Sequence, residues 1–429
     1  MALRKIVKNI AWILLGALLG SAGLFWAQIQ PERAVRIQGE HELEAAFSEL
    51  ARAVKESGDF VQGHQWYGSE REQAEAYRHI ARIMMNVLPA SLLIDPDFPY
   101  FFEIGPFSKS GMDNSDQRYL TTTVNGSGTY RIWGSRGGSR RLDVSLYEQD
   151  ALSGSLATLT SEQLSVEDDG SFEIILGGPS REGNWLPMQT GDLRLMVRQV
   201  HSDWADELPG EVHIDRIDES RPVYPELDRQ EMAARLIEAA NLLALNVRRW
   251  PEYSRTRIQG LIPVNTLTAP RPVGQTGGLA GRLMVAGHFD LASDEALLIK
   301  TWPSQATYQG IQLGHHWWES MDYANRQSSL TADQARESSD GALYFVVSES
   351  DPGVANWLDT EGFRRGVIFI RFDGLDGQEL EEGREPTASL IKLNALQGYL
   401  PADEALFSST QRAAQIATRR RHVQRRFGF

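Results

Sequence analysis

Asn-Trp-Leu occurs twice in this chain, at Asn184-Trp185-Leu186 and at Asn356-Trp357-Leu358, 172 residues apart. Each copy sits inside a longer matching stretch. Upstream, Leu159-Thr160 is followed nine residues later by Asp169-Gly170, and Leu330-Thr331 nine residues later by Asp340-Gly341. Strand-like runs then follow, Ser171–Leu176 and Ala342–Val347. Downstream, Leu193–Arg198 and Val367–Phe372 each carry an arginine inside an apolar run. Self-similarity at a fixed spacing constrains a fold more than any local propensity does. A strand, a turn, an Asn-Trp-Leu loop and a return strand are therefore expected to be built twice. The repeat says nothing about chemistry.

A chain of 429 residues has room for two or three domains. Hydrophobic residues make up 41% and charged residues 23%, which permits an ordinary packed core. The formal net charge of −14 excludes nucleic acid as a main partner, because phosphate binding needs a basic face. The absence of cysteine removes disulfides, zinc thiolates and thiol nucleophiles from consideration.

Residues 9–28 contain no charge and are long enough to cross the hydrocarbon core, with Trp12 and Trp26 near the two ends. Segment 1–30 is read as an uncleaved signal-anchor, the alternative being a signal peptide cleaved at Gly20-Ser21-Ala22; either way the basic start (Arg4, Lys5, Lys8) stays in the cytoplasm and the bulk is in the periplasm. Segment 31–99 is read as helical. One helix covers Glu40–Lys55, with Leu43, Phe47, Leu50 and Val54 on its apolar face. A second starts with a Ser69/Glu72 capping box, shows Ala76, Tyr77, Ile80, Met84 and Val87, and stops at Pro89.

Segment 100–220 is predicted to be a β-sandwich or jelly-roll module, from strands over Tyr119–Val124, Thr129–Trp133, Leu142–Tyr147, Ser171–Leu176 and Asp192–Val200. Segment 221–282 is a helical insert, Pro225–Arg249 with a stop at Pro251, followed by a Pro/Gly-rich loop. Segment 283–392 is a second, related module, and 393–429 ends in a basic helix over Ser408–Phe427. The fold class is thus mainly β with helical segments, α+β, as two related antiparallel sandwiches behind a transmembrane helix.

Several stretches together resemble a bacterial family known as domain of unknown function 1214, often found with a companion, domain of unknown function 1254. They are Met112–Tyr119, Tyr130–Gly134, Gly314–Glu319, Asp351–Asp359 and the Arg-Arg-Arg-His-Val-Gln-Arg-Arg ending. The family pattern has proline where this chain has Ser115 and Ala355. The resemblance implies antiparallel β-sandwiches and an envelope location, and it implies no activity.

The densest chemistry lies in Gly314-His315-His316-Trp317-Trp318-Glu319. On a strand, alternation would put His315, Trp317 and Glu319 on one face. Around Trp357, the charges Asp351, Asp359 and Arg364 are special to the second copy. His315, Trp317, Glu319 and Trp357 are expected to line one aromatic cavity in the second module. Asp113 and Asp116 offer a further carboxylate pair, or a turn of the Asx type. The basic ending is a lipid or partner contact, or a solvated helix face.

Metal sites need three or four convergent ligands, and the nine histidines include no spaced helical pair. No metal and no cofactor are expected. There is no Gly-x-Ser-x-Gly elbow, P-loop or His-Glu-x-x-His. The expected function is binding of a glycan or a lipid-like, amphipathic small molecule in the envelope. The alternative is a hydrolase- or lyase-like enzyme working by carboxylate and histidine acid–base chemistry.

Overall fold

The computed structural model describes residue 29 and residues 41–428 apart from 150, 151, 219–223, 225, 376, 403 and 405. Segment 9–28, assigned above to a membrane anchor, lies outside the described residues. Among the described residues no helix is long and apolar enough to cross a membrane.

The chain opens with α1 (Leu43–Gly63) and α2 (Glu70–Leu92). The capping box forms as expected: Glu72 N–H donates to Ser69 Oγ, and Ser69 N–H donates to Glu72 Oε2 at 2.8 Å. The apolar stripes follow the expected ones in part: Ala76, Ile80 and Val87 are buried, and Leu43, Leu50, Val54 and Met84 pack against the cores. Phe47 and Tyr77 are exposed, while Ala46, Ala53, Ser57 and Val61 of α1 and Glu75, Ala76, His79, Ile80, Ile83 and Val87 of α2 are buried. Small residues thus form the contact face of α1, which lets its partner helix come close.

The first set of strands is β1 (Phe102–Ile104), β2 (Gln117–Asn125), β3 (Tyr130–Ser135), β4 (Arg141–Tyr147), β5 (Ser155–Leu159), β6 (Ser171–Leu176), β7 (Trp185–Leu186), β8 (Asp192–Val200) and β9 (Val212–Arg216). Helix α3 (Arg229–Tyr253) follows, capped by Asp228, which accepts from Glu231 N–H at 2.8 Å. Neither proline stops its helix where expected. Pro89 and Pro251 both lie in the final turns, and α3 continues into a π-helical turn, Ser254–Gln259. A proline removes one backbone bond, and burial of Trp250, Pro251 and Glu252 offsets it.

The second set is β10 (Thr266–Leu267), β11 (Arg271–Pro272), β12 (Leu283–Asp290), β13 (Glu295–Thr301), β14 (Tyr308–His315), β15 (Glu319–Ser320), β16 (Ser329–Thr331), β17 (Leu343–Ser348), β18 (Trp357–Asp359), β19 (Arg365–Asp373) and β20 (Thr387–Lys392), before α4 (Ser409–Phe427). The segment read as a Pro/Gly loop supplies β10 and β11, which pair with β12.

Four sheets result. One has the order β1-β2-β8-β4-β5 and another β7-β6-β3-β9, and an apolar core draws residues from both. The other two are β10-β12-β19-β14-β15, with β11 on β12 and β16 on β14, and β18-β17-β13-β20. These also share an apolar core. Pairing is antiparallel except at β6–β7 and β17–β18, the two places where Asn-Trp-Leu occurs.

The hydrogen bonds recur there as well. Asn184 Nδ2 donates to Ser165 O and Ser165 N–H donates back to Asn184 Oδ1, both at 2.8 Å. Asn356 and Arg336 make the same reciprocal pair at 2.8 and 2.7 Å. Trp185 Nε1 donates to Gly177 O and Trp357 Nε1 to Ser348 O. Gly170 and Gly341 close matching turns at φ +83° and +79°, a conformation that glycine adopts without a Cβ clash.

Every residue of β4 is buried. Leu142, Val144 and Leu146 enter the apolar core, so by strand alternation Arg141, Asp143, Ser145 and Tyr147 share the other face. That polar face meets the second half of the chain. Arg141 Nη1 donates to Thr307 Oγ1 at 2.6 Å, and Arg371 Nη2 to Met112 O at 2.9 Å. Tyr308 O–H donates to Asp116 Oδ2 at 2.7 Å, and Arg282 holds Asp373 through two bonds of 2.6 and 2.7 Å.

Helix α4 closes the seam. Arg412, Arg419 and Arg426, seven residues apart, fall on one face and are buried. Arg419 donates to Tyr323 O, Ser329 O and Ser329 Oγ, and Arg426 Nη1 to Ser115 O at 2.5 Å. Both guanidinium groups lie 4.4 Å from the Trp204 ring centroid. The ending read as a lipid contact or solvated face is thus half internal, and only Arg420, Arg421 and Arg425 of its arginine run face solvent.

His201 and His422 lie beside this seam, ring centroids 5.2 Å apart. Burial and then Arg426 push His201 well below the ordinary histidine value, and the same causes lower His422 to about 2. The folded protein keeps both rings neutral, whereas the unfolded chain takes protons below roughly pH 6.5. Their contribution to stability is present above that pH and lost as pH falls. Each should remove up to about 1.4 kcal/mol per pH unit below it. The urea midpoint should drop between pH 7.5 and 5.5, and His422→Gln should flatten that drop. An unchanged slope in the variant would refute the assignment.

Candidate functional site

The stretch expected to be one strand is a hairpin. Strand β14 ends at His315, β15 begins at Glu319, and those two residues are direct cross-strand partners. Trp318 N–H donates to His315 O at 2.9 Å, and Trp318 takes a φ of +68°. A bulky residue is rarely found there. It is held by packing against Tyr253 and Phe369, at centroid distances of 4.9 and 5.4 Å. His315 and Glu319 therefore meet across a turn, not along a face.

Helix α2 brings three more polar side chains to them. Glu75, His79 and Arg82 are spaced i, i+4, i+7 and share one helix face. Glu319 is fully buried; its Oε1 lies 2.6 Å from His79 Nδ1, and its Oε2 accepts from Arg82 Nη1 at 2.5 Å. The same Nη1 donates to Glu75 Oε1 at 2.7 Å. His315 Nε2 stands 3.3 Å from Glu75 Oε1 and 3.7 Å from Glu319 Oε2. Neither His315 ring nitrogen makes a hydrogen bond among the described residues. Burial opposes charge on Glu75, yet His315, Arg82 and Arg78 hold its carboxyl well below the usual carboxylate range. Glu319 behaves alike: burial opposes its charge, and Arg82, His79 and His315 overcome that, so its carboxyl is lowered too.

Asp113 sits beside this cluster, accepting from Ser320 N–H at 3.0 Å and Ser320 Oγ at 2.7 Å. Asp116 is elsewhere, on Tyr308, and burial raises its carboxyl. The turn between them is of the Asx type, with Asp116 N–H donating to Asn114 Oδ1.

The other candidates are separated. Trp317 is 1% exposed, its indole N–H donates to Glu72 O, and it belongs to the core between helices and sheet. Trp357 belongs to a different core, under Arg412 at 5.2 Å. Asp351 pairs with Arg412, Asp359 with Arg326 and Arg364 with Asp290, at 3.0, 2.9 and 2.7 Å. The four residues expected in one cavity thus divide between two cores. The expectation failed because a turn was read as a strand, and because charges around Trp357 already had partners far away in sequence.

Glu75, His79 and Arg82 were missed by sequence reasoning. Their signal was present: a Glu, a His and an Arg at helical spacing beside Ala76, Ile80 and Ile83.

A cleft of about 380 Å³ opens between α1 and α3, lined by Glu56, Asp59, Phe60, Gly63, His64, Arg248 and Glu252. Arg248 covers the Phe60 ring at 4.8 Å, and His64 Nε2 lies 3.4 Å from Glu252 Oε1. Below it rings pack in sequence: His64 to Trp317 at 5.5 Å, then Trp317 to His79 at 5.8 Å. The cleft and the buried cluster are therefore joined through one tryptophan.

Fold and site define a β-rich α+β protein with a helical layer over a sealed acid–base cluster. Residues 116–203 match the family described as Protein of unknown function (DUF1214), in agreement with the resemblance seen in the sequence. Among solved structures, an uncharacterized protein from Burkholderia cenocepacia is similar, with 28% identity and a TM-score of 0.75 over 82% of this chain and 97% of that one. The VPA0106 protein from Vibrio parahaemolyticus is 11% identical, with a TM-score of 0.42 over 82% and 99% of the two chains. No curated protein matches the chain.

Because the Trp317 ring fills space between helix and sheet, Trp317→Ala should cost about 3–5 kcal/mol of stability. Urea unfolding would measure it. A loss below about 1 kcal/mol would place the ring outside the core.

Proposed function

We propose that this chain is a membrane-anchored envelope protein, made of two copies of one β-sandwich, that binds a glycan or an amphipathic small molecule without catalysing its conversion. The observation that carries the binding reading is the cleft between α1 and α3. Its volume falls in the range of small-ligand sites. Phe60 and Arg248 form one wall; Glu56, Asp59 and Glu252 pair with Arg52, Lys55 and Arg255, and each carboxylate keeps further acceptor capacity for hydroxyl groups. The ligand site thus moves from a cavity inside the second sandwich to the helical layer. The catalytic alternative loses weight because His315 and Glu319 are 2% and 0% exposed.

The duplication is supported by equal strand order and by recurring Asn–backbone and Trp–backbone bonds. The anchor reading rests on the uncharged run 9–28 and the basic residues before it.

The full chain in detergent should bind a member of a glycan and lipid panel. Arg248→Glu and Phe60→Ala should each weaken that binding by at least about tenfold. No binder on the panel, or affinity unchanged in both variants, would end the cleft reading. Separately, a periplasm-dependent phosphatase fused to the C-terminus should be active and a cytoplasm-dependent reporter silent. The opposite pattern would reject the anchor's orientation.

A further inference from the structure

We propose that Glu75, His315 and Glu319 form a binding site for one divalent transition-metal ion, with zinc as the best fit. The three side chains reach one point from two distant parts of the chain, and their ligand atoms all lie within 4.8 Å of one another. His315 Nε2 stands 3.3 and 3.7 Å from the two carboxylate oxygens. Donors arranged tetrahedrally at zinc bond lengths are about 3.3–3.4 Å apart. The observed edges therefore need only small adjustment to close on an ion.

A second observation points the same way. His315 is 2% exposed, and neither ring nitrogen has a hydrogen-bond partner among the described residues. A buried imidazole held at ion-pair distance from two carboxylates, without a well-directed hydrogen bond to either, is an arrangement a cation would complete. Arg82 faces both carboxylates, and Arg78 pairs with Glu75 from the outer side at 3.0 Å. Arg82 does not take the ion's place outright, because each carboxylate oxygen has a second lone pair.

The surroundings are those of a held ligand set. His79 fixes Glu319 through Oε1, and its Nε2 lies 3.3 Å from Val247 O, so the ring is oriented at both nitrogens. Arg82 fixes Glu75 and Glu319 together. Such outer contacts set the direction of metal-bound carboxylates. Three protein ligands leave one position for a water molecule. Because the cluster is sealed, the ion would enter as the chain folds.

The test uses the full chain purified from cells supplied with zinc or with cobalt. Elemental analysis should find one ion per chain, and the cobalt form should show visible absorption bands of a low-symmetry four-coordinate site. His315→Asn should fold, as judged by circular dichroism, and lose both ion and bands. A second arm needs no variant. Wild-type chain unfolded in chelator should recover the bands and a raised melting temperature when refolded with cobalt, and not when refolded without metal. Wild-type chain that carries no stoichiometric ion and refolds equally well in chelator would overturn the proposal. Equal metal content in folded His315→Asn would overturn it too.

Discussion

A large sheet covered on both faces must find partners for whatever its second face carries, and most of this structure answers that demand. The face of β4 that turns away from the apolar core carries Arg141, Asp143, Ser145 and Tyr147, and all of them are buried. Charges taken out of water are costly unless geometry and hydrogen bonds compensate. Arg141–Asp143 and Arg282–Asp373 compensate within their own halves, and the bonds Arg141–Thr307, Tyr308–Asp116 and Arg371–Met112 cross the seam between them. Helix α4 belongs to the same solution. Its arginines satisfy carbonyls of Tyr323, Ser329 and Ser115 that the sheets leave open. A seam of this kind favours one relative placement of the halves, because a shifted register would strand several charges at once.

The helical layer docks by the same logic on a smaller scale. Glu319 cannot reach water, so the hairpin tolerates it only with His79 and Arg82 against it. Those residues come from α2, and His79 in turn reaches Val247 on α3. One buried carboxylate thus ties a hairpin to two helices, while Trp317 and Trp318 supply the apolar contact around it. The cleft above inherits its position from that docking.

Much of the framework was legible because it depends on local pattern. Strands Ser171–Leu176 and Asp192–Val200 fall where alternation put them, and the Ser69 and Ser408 caps mark real helix starts. What could not be read is what depends on distance. Glu75 meets His315 across 240 positions, and no spacing rule reports that. The heptad spacing of Arg412, Arg419 and Arg426 was visible, but whether that face meets solvent or another half of the chain is a tertiary matter. The Gly314–Glu319 error has a different cause: aromatic residues read as strand, and nothing local warned that Trp318 would take a positive φ.

The site lies where the two halves of the chain differ. Shared features, such as the Asn184 and Asn356 bridges, close the same corner twice and are fully used by the backbone. In the first half β4 runs on to β5, which pairs beside it. In the second half the corresponding place beside β14 is taken by β16, and an extra hairpin strand, β15, is inserted before it. The turn and β15 place both tryptophans and Glu319, next to His315 at the end of β14, against α2. There, among the described residues, an imidazole, two carboxylates and a guanidinium meet at one point. The polar cluster therefore lies where the second half differs from the first, at the end of β14 where β15 pairs with it.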